Sequence, residues 1–260
     1  MKTSCAFVAG LPQMDIYTLR EDFMLANSLE NHWRILAGSV GKKPSDWYDS
    51  SGDRMYAAVI YTDTEFDLDD PIQEDDEVTG ETEFVAVRKP QSLSLTRYLV
   101  NDKVKAKATI LSVFIKRQQR GSNKKFSKVR GLWSEDDFNG DLIDDLLDRH
   151  QAVKSVEDRG GIANRHRVNR LVDFNLADFM YFKNYVRLAK VAEWNDTRDR
   201  AEVINFKRET FYFGNVDDGD LIETFVHRDG NRMQTTHHVE GGERFFVSLA
   251  KTREVKFNKR

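Results

Sequence analysis

One order of segments occurs twice in the 260 residues: a short apolar strand, a long amphipathic helix, then four strands of alternating polarity. Antiparallel strands that alternate apolar and polar bury one face only, and a single long helix with an apolar stripe needs a face to lie on. In the first half, residues 5–11 read as the leading strand. Thr18 and Glu21 have capping-box spacing, so the first helix is expected to begin at Thr18. Leu19, Phe23, Ala26, Leu29, Trp33, Leu36 and Val40 form its expected stripe, and Gly41 offers the stop. Strands are expected over 56–62, 78–88, 93–100 and 105–117. In the second half, 166–174 reads as the leading strand and Asn175 as the N-cap of the second helix, with Asp178 three residues on. Leu176, Phe179, Met180, Phe182, Val186, Ala189 and Trp194 then make a helix apolar over more than half its circumference near its start, as suits one wrapped by a sheet. Strands are expected over 203–213, 220–228, 233–239 and 244–252, with a hairpin turn at Asp229-Gly230-Asn231. The segments 71–78 and 216–222, each rich in acids and each ahead of a strand, resemble one another and support a duplication.

Composition narrows the function classes. Hydrophobic residues are 40% and aromatic residues 11%, which excludes disorder for most of the chain. No run approaches the roughly 20 apolar residues of a membrane-spanning helix. The lone Cys5 excludes a disulfide framework and a multi-cysteine zinc site, and a cytoplasmic protein is expected. Basic and acidic residues nearly balance, at 40 against 43, so a general nucleic-acid binder is not expected. Charge is nevertheless uneven. Lys116, Arg117, Arg120, Lys124, Lys125, Lys128 and Arg130 are followed by Glu135, Asp136, Asp137, Asp141, Asp144, Asp145 and Asp148. The strip reads either as a solvated connection or as a basic lip that receives phosphates or an acidic carrier protein, with Lys124 and Lys125 at its centre. The expected domains are 1–120, a charged linker 121–161 holding a short helix around Leu142, Ile143, Leu146 and Leu147, and 162–260.

A sheet around one long helix, present twice, describes an α+β double hot-dog fold. Pairing of the two halves would hide exposed strand edges. The residues 173–185 are similar to the helix start of hydroxybenzoyl-CoA-type hot-dog thioesterases, matching at Asp173, Tyr181, Asn184 and Tyr185, with Asn175 where a second acid is common and Asp178 where glycine is common. The chain more closely resembles bacterial double hot-dog proteins related to the acyltransferase/decarboxylase of leinamycin biosynthesis. That likeness rests on Leu11-Pro12-Gln13-Met14, on His32-Trp33, on Gly52-Asp53-Arg54-Met55-Tyr56-Ala57-Ala58, on Asp173-Phe174-Asn175 with Tyr181-Phe182, and on Glu209-Thr210-Phe211-Tyr212-Phe213-Gly214-Asn215. The resemblance implies acyl thioesters of coenzyme A or of a carrier-bound phosphopantetheine as substrates, no tightly bound cofactor, and an acyl carrier protein and acyl-CoA as partners; a homodimer is a separate expectation. It also implies that Tyr56 is the acylated residue of a methylmalonyl-CoA decarboxylase that passes its acyl group to a carrier.

The residues themselves leave several chemistries open. Amides of Leu176, Ala177, Asp178 and Phe179 at a helix start would face a thioester oxyanion. Asp173 reads as nucleophile or general base, or as a structural acid bonding loop amides. Asn175 reads as carbonyl holder or plain N-cap, Tyr56 as proton donor or buried strand residue, and His32 as base or packed polar residue. His237 and His238 fall on opposite strand faces and do not suit a shared metal. Neither a phosphate-binding glycine loop nor a nucleophile elbow occurs. Three readings follow: an acyltransferase or decarboxylase of polyketide-type secondary metabolism, a thioesterase or dehydratase on the same fold, and a non-catalytic carrier-binding protein. The expected site has the strand of Tyr56 as one wall and the start of the second helix as the other.

Overall fold

The computed structural model describes residues 1–119, 121–129, 137–157, 160–197 and 203–254. Arg120, Arg130, Glu135 and Asp136 of the two charge runs lie outside the described residues. The chain divides into two units, Met1–Arg149 and His150–Arg260.

The first unit runs β1 (Lys2–Val8), α1 (Glu21–Val40), β2 (Tyr56–Phe66), β3 (Glu77–Arg88), β4 (Gln91–Val100), β5 (Lys103–Arg117) and β6 (Phe126–Lys128). The strands are antiparallel in the order β1-β3-β4-β5-β2, with β6 on the far end of β5. Alternation along β3 buries Val78, Gly80, Thr82 and Phe84 on one face, as a period-two sequence requires. Between β4 and β5, Asn101 and Asp102 both take positive φ (49° and 62°). That is the two-residue turn whose twist matches the flanking strands, and Asn and Asp tolerate it best after glycine.

Helix α1 lies on β3 and β5. Two apolar groups pack at its ends. Met24 joins Leu19, Ile72, Val78 and Tyr98, while Ile35 and Leu36 join Trp47, Met55, Phe84 and Phe114. Between them the buried face carries Ser28, Asn31 and His32. The expected stripe is therefore corrected. The buried line is Met24, Leu25, Ser28, Leu29, Asn31, His32, Ile35 and Leu36, with Phe23, Trp33 and Val40 at its flanks. A count of apolar residues alone passes over polar positions whose partners come from the sheet.

The capping box at Thr18 does not form. Helix α1 begins at Glu21 behind an extended Arg20, and no side chain caps it. Asp15 instead holds the entry in a tight turn, its Oδ1 accepting the N–H groups of Tyr17 (2.8 Å) and Thr18 (3.0 Å). The Glu21 carboxylate accepts the buried Thr64 hydroxyl at 2.8 Å.

At the other end Gly41 takes φ 61° and donates its N–H to Gly38 O, while the Lys42 N–H reaches Ala37 O. This is a Schellman stop, which needs a residue free to go left-handed. Nothing lies within 4 Å of a Cβ added at Gly41 or at Gly38. Gly41→Ala is thus expected to cost about 1–2 kcal/mol through backbone strain alone, and Gly38→Ala to gain about 0.5–1 kcal/mol inside the helix. Urea titration of both variants checks the opposite signs.

The expected short linker helix is longer: α2 spans Gly140–Lys154, and the boundary between the units falls within it. Ile143 is buried while Leu142 is half exposed. Asp144 forms a close ion pair with Arg88.

The second unit runs β7 (Ile162–Arg167), α3 (Arg170–Asp173), α4 (Phe182–Thr197), β8 (Val203–Tyr212), β9 (Leu221–Asp229), β10 (Arg232–Val239) and β11 (Arg244–Glu254). Its antiparallel order, β7-β9-β10-β11-β8, repeats that of the first unit, and α4 lies on β7, β9, β10 and β11. Two expectations are corrected. The leading strand ends at Arg167, because Asn169 turns the chain into α3, its side chain accepting the Leu171 N–H. The second helix starts at Phe182 rather than after Asn175. The intervening residues form a loop in which Phe174 and Met180 make a bridge and Asp178 takes φ 60°.

The likeness of 71–78 and 216–222 has a structural counterpart. Gln73 N–H donates to Asp76 Oδ2 at 2.7 Å, and Asp217 N–H to Asp220 Oδ2 at 2.9 Å. Ala9 N–H reaches Asp76 O and Val168 N–H reaches Asp220 O, each at 2.9 Å. Asp75 N–H returns to Ala9 O at 2.9 Å, and Gly219 N–H to Val168 O at 3.0 Å. Asp75 and Gly219 both have positive φ. Each turn thus locks the strand before the helix onto the strand after the turn by the same bonds.

Candidate active site

The loop between α3 and α4 is built around two side chains. Asp173, fully buried, accepts from three donors: His166 Nε2 at 2.8 Å and Asn169 N–H at 2.9 Å on Oδ2, and Arg187 Nη2 at 3.2 Å on Oδ1. Its carbonyl accepts Tyr181 N–H (2.8 Å) and Asn184 Nδ2 (2.9 Å). Asn175 Oδ1 accepts the N–H groups of Ala177 (3.0 Å) and Phe179 (3.3 Å). Asp178 pairs with Arg170 at 2.7 Å, and Leu176 is wholly exposed. Leu176, Ala177, Asp178 and Phe179 are therefore not the first amides of a helix. They belong to a turn, and Asn175 engages two of their N–H groups itself. Of the residues matching the thioesterase-like pattern, Tyr181 and Asn184 brace this loop, while Tyr185 is buried against Tyr212 and Phe245.

The first unit has a corresponding loop ahead of α1, one residue shorter on each side of its bridge. Arg20 N–H donates to Gln13 O as Tyr181 N–H donates to Asp173 O, both at 2.8 Å. Asp15 N–H reaches Thr18 O as Asn175 N–H reaches Phe179 O, again both at 2.8 Å. The bridges Met14–Leu19 and Phe174–Met180 correspond. Gln13 thus stands where Asp173 stands, and Asp15 where Asn175 stands. Counting back two residues from Ala9 and Val168, Phe7 stands where His166 stands. Phe7 packs on Phe23 at 5.1 Å.

His166, which the sequence reading did not select, is the principal addition. It sits on β7 with its side chain 24% exposed, and its Nε2 lies 2.8 Å from Asp173 Oδ2. The available signal was its place in the alternation of a strand that leads into Asp173.

The remaining selected residues lie elsewhere. His32 is fully buried on α1, with Nδ1 2.7 Å from Ser94 Oγ and Nε2 2.8 Å from Ser112 Oγ. Burial lowers its pKa to about 3, so the ring is neutral. Tyr56, at the start of β2, has its phenol oxygen 3.1 Å from Arg117 Nη1, and the guanidinium groups of Arg54 and Arg117 lie 5.7 and 5.1 Å from the ring centre. His32 and Tyr56 belong to the first unit, Asp173 and Asn175 to the second. Lys124 and Lys125 are exposed in the β5–β6 hairpin. Lys116 is not part of an open basic strip: Asp49 and Asp53 hold its ammonium at 2.6 and 2.7 Å, which raises its pKa.

In the comparison with solved structures, the acyl-ACP thioesterase of Bacteroides thetaiotaomicron is similar over 97% of this chain and 98% of its own, with TM-score 0.65 and 16% identity. The 12:0-ACP thioesterase of Umbellularia californica is similar over 98% of each chain, with TM-score 0.70 and 11% identity. The fold is the hot-dog fold. No protein-family model and no curated protein sequence matches the chain. Within the hot-dog fold, a long central helix rests on one face of an antiparallel sheet, and the loops described above are those that enter that helix in each unit. No helix among the described residues is long and apolar enough to cross a membrane.

Proposed function

We propose that the protein is a double hot-dog enzyme that hydrolyses an acyl thioester of coenzyme A or of an acyl carrier protein. The observation that carries this reading is the end-to-end likeness to two acyl-ACP thioesterases, whose lengths this chain matches almost completely. The shared strand order and the paired turn bonds support descent of both units from one hot-dog repeat. Hydrolysis needs water, a base and a group that polarises the carbonyl, and no tightly bound cofactor. Asn175, whose oxygen is committed to the loop, offers its Nδ2 group to a thioester carbonyl. Exposed Lys124 and Lys125 suit an acidic carrier protein, and electrostatic attraction would speed its arrival.

A second reading, transfer or decarboxylation through an acyl-tyrosine, is favoured by one observation. Arg117 donates to the Tyr56 oxygen that would carry the acyl group. A panel of acyl-CoA and acyl-carrier thioesters, including methylmalonyl-CoA, separates the two by thiol release and by protein mass. The hydrolase reading expects free thiol and free acid with the protein mass unchanged, and Tyr56→Phe active. An acyl adduct that disappears in Tyr56→Phe would replace it with the transfer reading.

A further inference from the structure

The two pre-helix loops serve as controls for one another. Both close by the same two main-chain bonds and one bridge, although the second is one residue longer on each side and holds α3, and only the second carries a histidine and a buried acid at these positions. In the first unit Phe7 and Gln13 occupy those positions and the loop still forms. A loop closed by these bonds therefore forms without an acid–imidazole pair. Burying a carboxylate without a structural demand for it costs free energy unless donors satisfy it. Here three donors do so, and one of them is a ring whose side chain keeps 24% of its surface exposed.

From this asymmetry we infer that His166 is the general base of the hydrolysis, that Asp173 is its positioning residue, and that the second unit alone carries the reacting site. This inference rests on the proposed hydrolase reading and deepens it. Asp173, accepting the Nε2–H, fixes the tautomer that leaves the Nδ1 lone pair for water. Asn169 N–H and Arg187 hold the carboxylate in turn, one on each oxygen. Asp173 itself has no exposed surface, so it acts through the ring rather than on the substrate. Nδ1 takes a proton from water as the oxygen bonds to the thioester carbonyl carbon. When the C–S bond breaks, that proton passes to the leaving thiolate, giving one carboxylic acid and one thiol. The charged group that meets the pair is Arg187 on α4, at 3.2 Å from Asp173 Oδ1.

The test uses the full chain. His166→Gln and His166→Ala are expected to lose at least 100-fold in kcat against a thioester that the parent hydrolyses, within the range for general-base catalysis. Added imidazole is expected to restore part of the activity to His166→Ala. Asp173→Asn is expected to lower kcat with KM little changed. Undiminished hydrolysis in both His166 variants overturns the inference. So does a loss that imidazole does not relieve and that tracks a fall in thermal stability, because that marks a structural residue. If the parent hydrolyses none of the panel, the hydrolase reading fails separately. His166 is then judged by the nitrogen NMR signals of its ring on addition of a non-hydrolysable acyl-CoA thioether. A response at Nδ1 with Nε2 protonated supports a substrate-facing base, and an unchanged ring overturns it.

Discussion

Arg208→Met is expected to destabilise the second unit by about 3–5 kcal/mol, the typical loss when one partner of a buried ion pair is removed. Arg208 on β8 and Glu193 on α4 are almost fully buried and meet through two parallel bonds, Nη1–Oε1 at 2.7 Å and Nη2–Oε2 at 2.8 Å. Asn205 and Thr235 donate to the same carboxylate at 2.7 and 2.9 Å, and Arg208 also donates to Ser248. Burial by itself raises the Glu193 pKa. The charge of Arg208 and the hydrogen bonds outweigh it and bring the value down to about 2. With its folded pKa depressed, Glu193 adds stability above its unfolded value near 4.5, and that contribution is lost as pH falls toward about 2. In Arg208→Met burial is opposed only by neutral donors, so the defect is expected to shrink on acidification. The double variant Glu193→Leu/Arg208→Met should recover most of the loss, since no charge is then left unpaired. Urea unfolding of the three variants reads this directly. A single variant that loses under 1 kcal/mol would contradict it.

Acid is expected to weaken both units well before their carboxylates titrate. His32 in the first unit and His237 in the second are fully buried, and burial lowers their pKa values to about 3 and about 4. His237 donates its Nε2–H to Tyr185 O at 3.0 Å, its Nδ1 accepts the Thr224 hydroxyl at 2.8 Å, and the ring stacks on Phe246 at 4.6 Å. The fold holds each ring neutral, whereas the unfolded chain takes a proton near pH 6.5. The contribution of each is therefore complete above pH 6.5 and falls as pH drops toward the folded value. At about 1.4 kcal/mol per pH unit for one proton, each unit should lose roughly 2–3 kcal/mol between pH 7 and pH 4.5. Urea midpoints at those two pH values check the loss. His32→Gln and His237→Gln should each flatten it in their own unit, and an unchanged slope in both would sink the explanation.

The strands were legible because period-two alternation reports directly on a one-sided sheet. The expected 78–88 and 233–239 differ by one residue at one end from Glu77–Arg88 and Arg232–Val239. The helix starts were not. Thr18 and Asn175 carry good capping chemistry, but each lies within a turn held by an Asx side chain, Asp15 in one case and Asn175 itself in the other. A cap signal and a turn signal use the same residues, and only the bridge that closes the loop distinguishes them. On the buried polar face of α1, His32 reads as a packed polar residue or a base, whereas Ser28 and Asn31 were passed over for a different reason. Ser28 reads as a break in an apolar stripe until Tyr98 appears opposite it, as Ser94 and Ser112 do opposite His32. Asp173 stood out in the sequence as a candidate acid, but its partner His166 did not, because the short helix α3 carries Asp173 back onto the strand that precedes it.

The central claim, that this hot-dog protein hydrolyses an acyl thioester, is tested most directly by turnover in water enriched in oxygen-18. The parent protein, supplied with the acyl-CoA and acyl-carrier panel, is expected to release acid carrying one heavy oxygen, in step with the thiol. Thioesters left intact, or acyl groups that appear on the carrier or leave carbon dioxide without labelled acid, would contradict it.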